Sequence, residues 1–202
     1  MNHSTRIALA IAAFTLVGCT AEPGNPMPAN TPSTVTSGNE PSEDKSYGAP
    51  RVSDPIEAAA FIENPCSVLT IDQTATLKLE KEGTPKDLGS KDPYCTWNSD
   101  DDREHYTFGW LASNKNGLAD TYRADRSDPD FAAYFEPVTV SGYPGVFEDG
   151  KDRRDGGECN MVVGVRDELT FRVGSTRGPG KKSCENIKAI AEQAIATMKT
   201  GA

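Results

Sequence analysis

Cysteine is the residue of this chain with the widest range of chemistry, because a thiol can carry a lipid, bind a metal, act as a nucleophile or form a disulfide. The sequence of 202 residues holds five cysteines. Cys19 directly follows an apolar run, whereas the other four are spread over the rest of the chain: Cys66, Cys95, Cys159 and Cys184. The sequence around Cys19 therefore predicts a different chemistry from that of the other four cysteines.

The beginning of the chain has the pattern of an export signal. Arg6 supplies a positive charge, and residues 7–17 form an apolar run that is short for a membrane span. The run ends in Leu16-Val17-Gly18-Cys19, which resembles the lipobox that bacterial lipoprotein-processing enzymes cleave. We therefore expect residues 1–18 to be a lipoprotein signal peptide and Cys19 to be lipidated. The alternative is an ordinary secretory signal followed by a chance cysteine.

Two further segments follow the signal. Residues 19–52 are predicted to be a lipidated cysteine followed by a disordered tether. Pro, Ser, Thr, Asn, Gly and Glu dominate this segment, and it has no apolar periodicity. Residues 53–202 predict a single globular domain, because their length suits one hydrophobic core. Stable anchoring of such a chain needs two or three acyl chains and no membrane-spanning helix.

The four remaining cysteines favour disulfide bonds in an exported protein. Four cysteines allow three pairings. The local pairing, Cys66 with Cys95 and Cys159 with Cys184, is our preference, since it closes two loops of moderate length. A zinc or redox site is the alternative, but the chain has no Cys-x-x-Cys and no histidine near these cysteines.

Other residues that could carry catalysis are few. His105 is the one histidine that remains after residues 1–18 are removed, and its acidic neighbours favour a solvated surface position. The acidic turn 99–104 could bind a cation, although it lacks the ligand spacing and the glycine of a calcium loop. Residues 178–183 differ from a phosphate-binding loop, because Lys182 stands where a hydroxyl is required. No catalytic residue, metal ligand or cofactor is predicted.

Hydrophobic periodicity and turn residues predict the secondary structure of the domain. Asp54 and Pro55 are typical of a helix start, and Thr70 with Gln73 resembles a capping box. Helices are therefore expected over residues 54–61, 70–79, about 118–122 and 187–198. A loop is expected over 83–93. Strands are expected over residues 94–98, 106–111, 138–140, 145–147, 159–165 and 169–173.

These elements predict an α+β fold. A mostly antiparallel sheet would carry the N-terminal and C-terminal helices packed on one face, with two disulfides. Tyr106, Phe108 and Trp110 alternate along one strand, so they share a face. That face is expected to lie against the helix-covered core, and a ligand groove is the alternative.

Several short motifs occur in a fixed order along residues 54–200. They are Asn64-Pro65-Cys66-Ser67-Val68-Leu69-Thr70, Cys95-Thr96-Trp97, Gly142-Tyr143-Pro144-Gly145, Cys159-Asn160-Met161-Val162-Val163, and Cys184 at the start of the last helix. With the lipobox and spacer, this layout resembles a family of actinobacterial envelope lipoproteins that carry a domain of unknown function. The resemblance implies an anchored extracytoplasmic α+β domain with two disulfides, and it implies no catalytic residues.

Charge and location narrow the expected function. The formal net charge of -9 disfavours binding to nucleic acid, because an acidic surface repels phosphate backbones. We expect an extracytoplasmic protein held at the outer face of the cell membrane by acyl chains on Cys19. Its domain would be a binding or accessory module for an envelope protein, a lipid or a wall polymer. The alternatives are a carboxylate-dependent hydrolase of wall glycans or esters and a purely structural lipoprotein.

Overall fold

The computed structural model describes residues 45–201. The predicted signal peptide 1–18, the predicted lipidation site Cys19 and the predicted tether as far as residue 44 lie outside this range. The described residues belong to one compact unit, Pro41–Ala202. Within them, no helix is both long enough and apolar enough to cross a membrane.

A seven-stranded antiparallel sheet forms the centre of the described domain, in the order β1-β2-β3-β7-β6-β5-β4. The pairing of β3 with β7 joins two runs of consecutive antiparallel strands. The strands are β1 (Thr84–Lys86), β2 (Tyr94–Asn98), β3 (His105–Trp110), β4 (Tyr134–Val140), β5 (Tyr143–Asp149), β6 (Cys159–Arg166) and β7 (Leu169–Ser175).

Four α-helices surround the sheet: α1 (Ala59–Glu63), α2 (Ile71–Thr76), α3 (Leu118–Ser127) and α4 (Lys182–Thr200). Two 3-10 helices, Pro65–Val68 and Arg154–Gly156, complete the secondary structure of residues 45–201. The apolar stripe predicted on the last helix is confirmed, because α4 buries Ile187, Ala191, Ala194 and Ile195. The predicted α+β fold with an antiparallel sheet is therefore confirmed.

The two faces of the sheet differ sharply, because successive strand residues point to opposite sides. The inner face packs against α1 and α4, and its buried residues include Trp97, Phe108, Met161, Phe171 and Val173. The opposite side, here called the outer face, meets α3 over β4, β5 and β6, where Leu118 packs on Val146 and Val162 and the ring of Tyr122 meets that of Phe135 edge-on, with centres 4.9 Å apart. On β2 and β3 the outer face carries half-buried side chains.

Both disulfides follow the preferred local pairing, which is confirmed. Cys66, in the 3-10 helix after α1, is bonded to Cys95 on β2, with 5.1 Å between their Cα atoms. Cys159 on β6 is bonded to Cys184 in α4, with 5.4 Å between their Cα atoms. Each bridge therefore holds a helical segment against the inner face.

Some predicted boundaries are wrong. The first helix begins at Ala59 and not at Asp54, because the N–H of Ile56 instead donates to the carbonyl of Val165 near the end of β6, 3.0 Å away. The capping box of Thr70 and Gln73 is confirmed, but α2 ends early, since Lys78 adopts a positive φ of 57°.

The predicted loop 83–93 also contains a strand, β1, which pairs with β2. Gly83 makes this pairing possible, because a Cβ atom at that position would lie 2.3 Å from the Sγ atom of Cys95. Pro85 fits β1 because β1 is an edge strand, where a missing N–H costs no sheet hydrogen bond.

Residues 45–52, the end of the predicted tether, contact the domain. The guanidinium of Arg51 lies 2.9 Å from the carboxylate of Asp167 in the β6–β7 turn. The N–H of Val52 donates to the other oxygen of the same carboxylate, at 3.0 Å. These contacts border a depression of about 530 Å³ that Lys45 and Lys115 also line. Two further residues of its lining, Arg166 and Glu168, are paired with each other at 2.7 Å.

Arg154 fixes the connection between β5 and β6 to the edge strand β4. Its guanidinium lies 2.7 Å from Asp152 and 2.9 Å from Glu136, and 4.0 Å above the centre of the Tyr134 ring. Hydrogen bonding from Arg154 holds the pKa of Asp152 at about 2, below its usual 3.8. Arg154 and its partners therefore join the β5–β6 connection to β4, and this contact depends on the negative charge of Asp152.

We predict that Arg154→Gln reduces the acid sensitivity of folding. A carboxylate whose pKa is lowered in the folded state stabilises the fold above its unfolded pKa, and this contribution disappears as pH falls toward about 2. Between about pH 5 and about pH 2, the free energy of unfolding measured in urea should therefore fall more for the wild type than for the variant. The control is Arg177→Gln, at an arginine that is exposed. An equal loss in Arg154→Gln and wild type would contradict the prediction.

Candidate functional site

The outer face of β2, β3 and β7 presents polar side chains in two cross-strand rows. Pairing of the strands places Thr84, Thr96, Thr107, Gly174 and Asn160 side by side in the first row. The second row consists of Lys86, Tyr94, Gly109, Arg172 and Val162. The strand register therefore brings together residues that are distant in sequence, and it forms a surface of hydroxyl, amide, phenol and guanidinium groups.

Two adjoining depressions lie on this surface. One, of about 300 Å³, lies over β2, β3, β6 and β7, and Tyr94, Thr107 and Asn160 line it. The other, of about 420 Å³, lies toward α3 and is lined by Asp120 and Thr121 among others. Both are lined by Leu111 and Arg172, so we treat them as one feature, the outer-face groove.

An ion pair between Arg172 and Glu148 lies at the groove. Arg172 extends from β7 across β6 to Glu148 on β5, where its Nη2 group donates to the carboxylate. The Glu148 side chain is only 5% exposed, whereas that of Arg172 is 44% exposed. Burying a carboxylate is costly unless a cation accompanies it, so Arg172 is what allows Glu148 to lie inside the domain.

Two glycines keep the floor of the groove flat. A Cβ atom on Gly174 would lie 2.4 Å from Oδ1 of Asn160, so glycine lets the amide lie close to the sheet. The Asn160 Nδ2 group donates to Asp149 at 2.6 Å, which fixes the orientation of the amide. On β3, a Cβ atom on Gly109 would lie 3.1 Å from the Cβ atom of Tyr94. The Tyr94 side chain therefore stands beside open backbone.

His105 lies on the outer face, half-buried at the start of β3. Its Nδ1 atom is 3.0 Å from the amide oxygen of Asn98 on β2. This contact orients the imidazole with a neutral partner on the neighbouring strand. The structure does not bring His105 together with the cysteines, all four of which are in disulfides.

The acidic turn 99–104 connects β2 and β3, as predicted. Asp101 accepts a hydrogen bond from the hydroxyl of Ser99 at 2.7 Å and lies 3.3 Å from Arg103, so its pKa is lowered, mainly by the Ser99 hydrogen bond. Across residues 45–201, no group of three or more His, Cys, Asp and Glu side chains is placed to hold a metal ion.

Glu104, the last residue of that turn, points toward α4. Its carboxylate accepts hydrogen bonds from the hydroxyl of Tyr106 and from the amide of Asn186. Burial, followed by the hydrogen bond to Glu104, raises the pKa of the Tyr106 phenol well above its usual value of 10.0. Tyr106 therefore stays protonated at the inner face and acts as a donor.

The aromatic stripe of β3 belongs to the core, as expected. Tyr106, Phe108 and Trp110 are each no more than 2% exposed and lie on the inner face. Sequence reasoning did not identify Arg172 and Glu148 as a pair. One signal was available: Arg172 stands between Phe171 and Val173, so a strand with those two residues in the core must point Arg172 to the other face.

We predict that Arg172→Ala lowers the free energy of unfolding by about 2 kcal/mol, because it leaves Glu148 buried without a cation. The double variant Arg172→Met/Glu148→Leu should recover part of that loss, since it removes both charges. Urea unfolding measures both values. The matched control is Arg166→Ala, whose partners Glu57 and Glu168 are exposed, and its cost should stay below about 1 kcal/mol. Equal costs for Arg172→Ala and Arg166→Ala would contradict the prediction.

Comparison with protein-family models matches residues 14–197 to DUF3558, which is described as a protein of unknown function. The match covers most of the 202 residues, including all seven described strands. No curated protein and no solved structure matches the chain. The expectation of a domain of unknown function is confirmed, whereas lipidation and an actinobacterial envelope family stay predictions. The chain belongs to the DUF3558 family of proteins of unknown function.

Proposed function

We propose that this protein is an extracytoplasmic lipoprotein, anchored through acyl chains on Cys19, whose domain binds an envelope ligand in the outer-face groove. The observation that carries the proposal is the groove itself. The exposed part of Arg172, which is paired with the buried Glu148, lies in the groove. Amide, hydroxyl and phenol groups lie beside it on a flat strand surface. Ligand sites are commonly concave and contain a few convergent polar groups of this kind.

The sequence supports the anchor. The apolar run and Leu16-Val17-Gly18-Cys19 fit a lipobox, and the layout of motifs fits actinobacterial envelope lipoproteins. With Cys19 set apart, the four remaining cysteines form two disulfides. Disulfides persist in oxidising compartments, which suits a domain at the outer face of the cell membrane.

The spacing between anchor and domain supports a binding role. The segment from Cys19 to residue 44, ahead of the residues that contact the domain, would reach up to about 80 Å if extended, at roughly 3 Å for each residue. A domain on such a tether can search the volume above the membrane while the anchor keeps its local concentration high. Candidate partners at that distance are an envelope protein, a lipid or a wall polymer.

We predict that Cys19→Ser abolishes acylation of the chain and, where the signal is still cleaved, its membrane association. Without the thiol, no diacylglycerol is attached, and the variant should remain uncleaved or enter the soluble extracytoplasmic fraction. Fractionation of cells and mass spectrometry of the N-terminal peptide distinguish these outcomes from the lipidated wild type. Cys66→Ser/Cys95→Ser is the control, because it removes two thiols without touching the lipobox. A wild-type N-terminal peptide without acyl chains, or membrane association of a cleaved Cys19→Ser chain, would exclude the anchor.

We predict that the ligand contacts the outer-face groove in the native envelope. A photo-crosslinking amino acid in place of Thr107, on the groove, should capture the ligand in living cells. The control replaces Glu185, which is exposed on α4 away from the groove. Cross-links at Glu185 but not at Thr107 would show that the ligand binds outside the groove, and they would contradict the prediction.

The hydrolase alternative has its own readout. Release of sugar or acyl products from wall material by the full chain, with loss of turnover in Glu148→Gln, would establish the enzyme. Persistence of turnover in Glu148→Gln would exclude that carboxylate as the catalytic group.

A further inference from the structure

We infer that the ligand of the outer-face groove is an uncharged carbohydrate chain. This inference rests on the proposed function of the groove as a binding site and adds the chemical class of its ligand. The evidence lies in the charges at the groove, in its hydrogen-bonding groups and in the shape of its floor.

The charges at the groove are compensated. Arg172 is the cation at its centre, and Glu148 already neutralises that charge through a direct ion pair. Asp120 and Arg123 line the groove toward α3 and are paired with each other at 2.9 Å. Lys86 and Asp92 add one charge of each sign near the margin. A phosphate or carboxylate would have to displace Glu148 from Arg172, and the net charge of -9 would repel a polyanion. The charge pattern is therefore complementary to a neutral ligand.

The polar groups of the groove suit hydroxyls. A guanidinium has five N–H donors, and the ion pair of Arg172 uses Nη2. Asn160 donates to Asp149 through its amide nitrogen and has an amide oxygen that can accept. Thr107 and Thr176, which also line the groove, can both donate and accept. A sugar hydroxyl likewise donates and accepts, so it can satisfy each of these groups.

An acyl chain would not satisfy them. Covering Arg172, Asn160 and Thr107 with hydrocarbon would remove water from these polar groups without replacing its hydrogen bonds, which costs free energy. A lipid tail would cover the apolar part of the lining but would leave these polar groups without partners, whereas a sugar offers both C–H faces and hydroxyls.

The shape of the floor fits flat rings. Gly109 leaves open backbone beside the half-exposed Tyr94 side chain, and Gly174 lets the amide of Asn160 lie close to the sheet. A sugar ring has a face of C–H groups, and the aromatic face of a tyrosine offers it apolar contact next to polar partners. The groove runs across β2, β3, β7 and β6, which spans about 14 Å at roughly 4.8 Å between strands. This length suits a chain of several rings better than a single sugar.

The test titrates the full lipidated chain, in detergent, with oligosaccharides of six sugars and follows the heat of binding. The neutral probes are cellohexaose, maltohexaose and the hexamer of N-acetylglucosamine, and the anionic probes are hexagalacturonate and inorganic phosphate. We expect at least one neutral probe to bind, with little dependence on salt because no ion pair forms. Tyr94→Ala should weaken that binding on the order of tenfold, since it removes the stacking ring.

Two further variants serve as a second test of the groove and as a control. Thr107→Glu keeps a half-buried strand position and introduces a charge, so it should also weaken binding while circular dichroism stays unchanged. Tyr47→Ala, at a half-buried tyrosine in the N-terminal segment, should bind as the wild type does.

The outcomes separate the two proposals. Salt-dependent binding of an anionic probe alone, or binding that Tyr94→Ala and Thr107→Glu leave unchanged, would overturn the carbohydrate inference. If no neutral probe binds and a protein or lipid cross-links at Thr107, the carbohydrate inference fails and the groove remains a binding site. If no neutral probe binds and nothing cross-links at Thr107, both proposals fail.

Discussion

Burial of one side of β3 and β7 is the constraint from which the rest of the structure follows. The rings of Phe108 and Phe171 stack with their centres 4.7 Å apart, and Trp110 meets Phe108 edge-on at 5.4 Å. The indole N–H of Trp110 donates to the carbonyl of Phe61 at 2.9 Å, so α1 is joined to the same aromatic layer. With α4 above it and two disulfides holding helical segments to the strands, this layer is closed to solvent.

The outer-face groove is the other consequence of that register. Since strand residues alternate, placing Phe171 in the core places Arg172 on the outer face, and placing Phe108 in the core does the same for Thr107 and Gly109. A shift by one residue would drive Arg172 into the aromatic layer, so the register is strongly specified. The ion pair between Arg172 and Glu148 joins β7 to β5 across β6. It can therefore form only when these three strands lie in this order.

Local sequence signals predicted much of this fold, since they depend on near neighbours. Strand β2 has the predicted bounds, Tyr94–Asn98, and the capping box of Thr70 and Gln73 forms as expected. Strand β1 was not predicted, because three residues around a proline become a strand only when β2 lies beside them. The groove was not predictable either: Arg172 and Glu148 are 24 residues apart, and only the sheet order brings them together.

The edges of the sheet also bear on where the proposed ligand would bind. Edge strands offer unpaired backbone groups to any extended chain, and proline removes a donor from such an edge. Here both edge strands contain one, Pro85 on β1 and Pro137 on β4, and Arg154 further covers β4 through Tyr134 and Glu136. Strand addition is thus disfavoured at both edges, while the inner face is filled by its own core. Recognition at the outer face then depends on side chains and not on backbone pairing. Substitutions there can change the ligand while the aromatic layer, and with it the fold, stays the same.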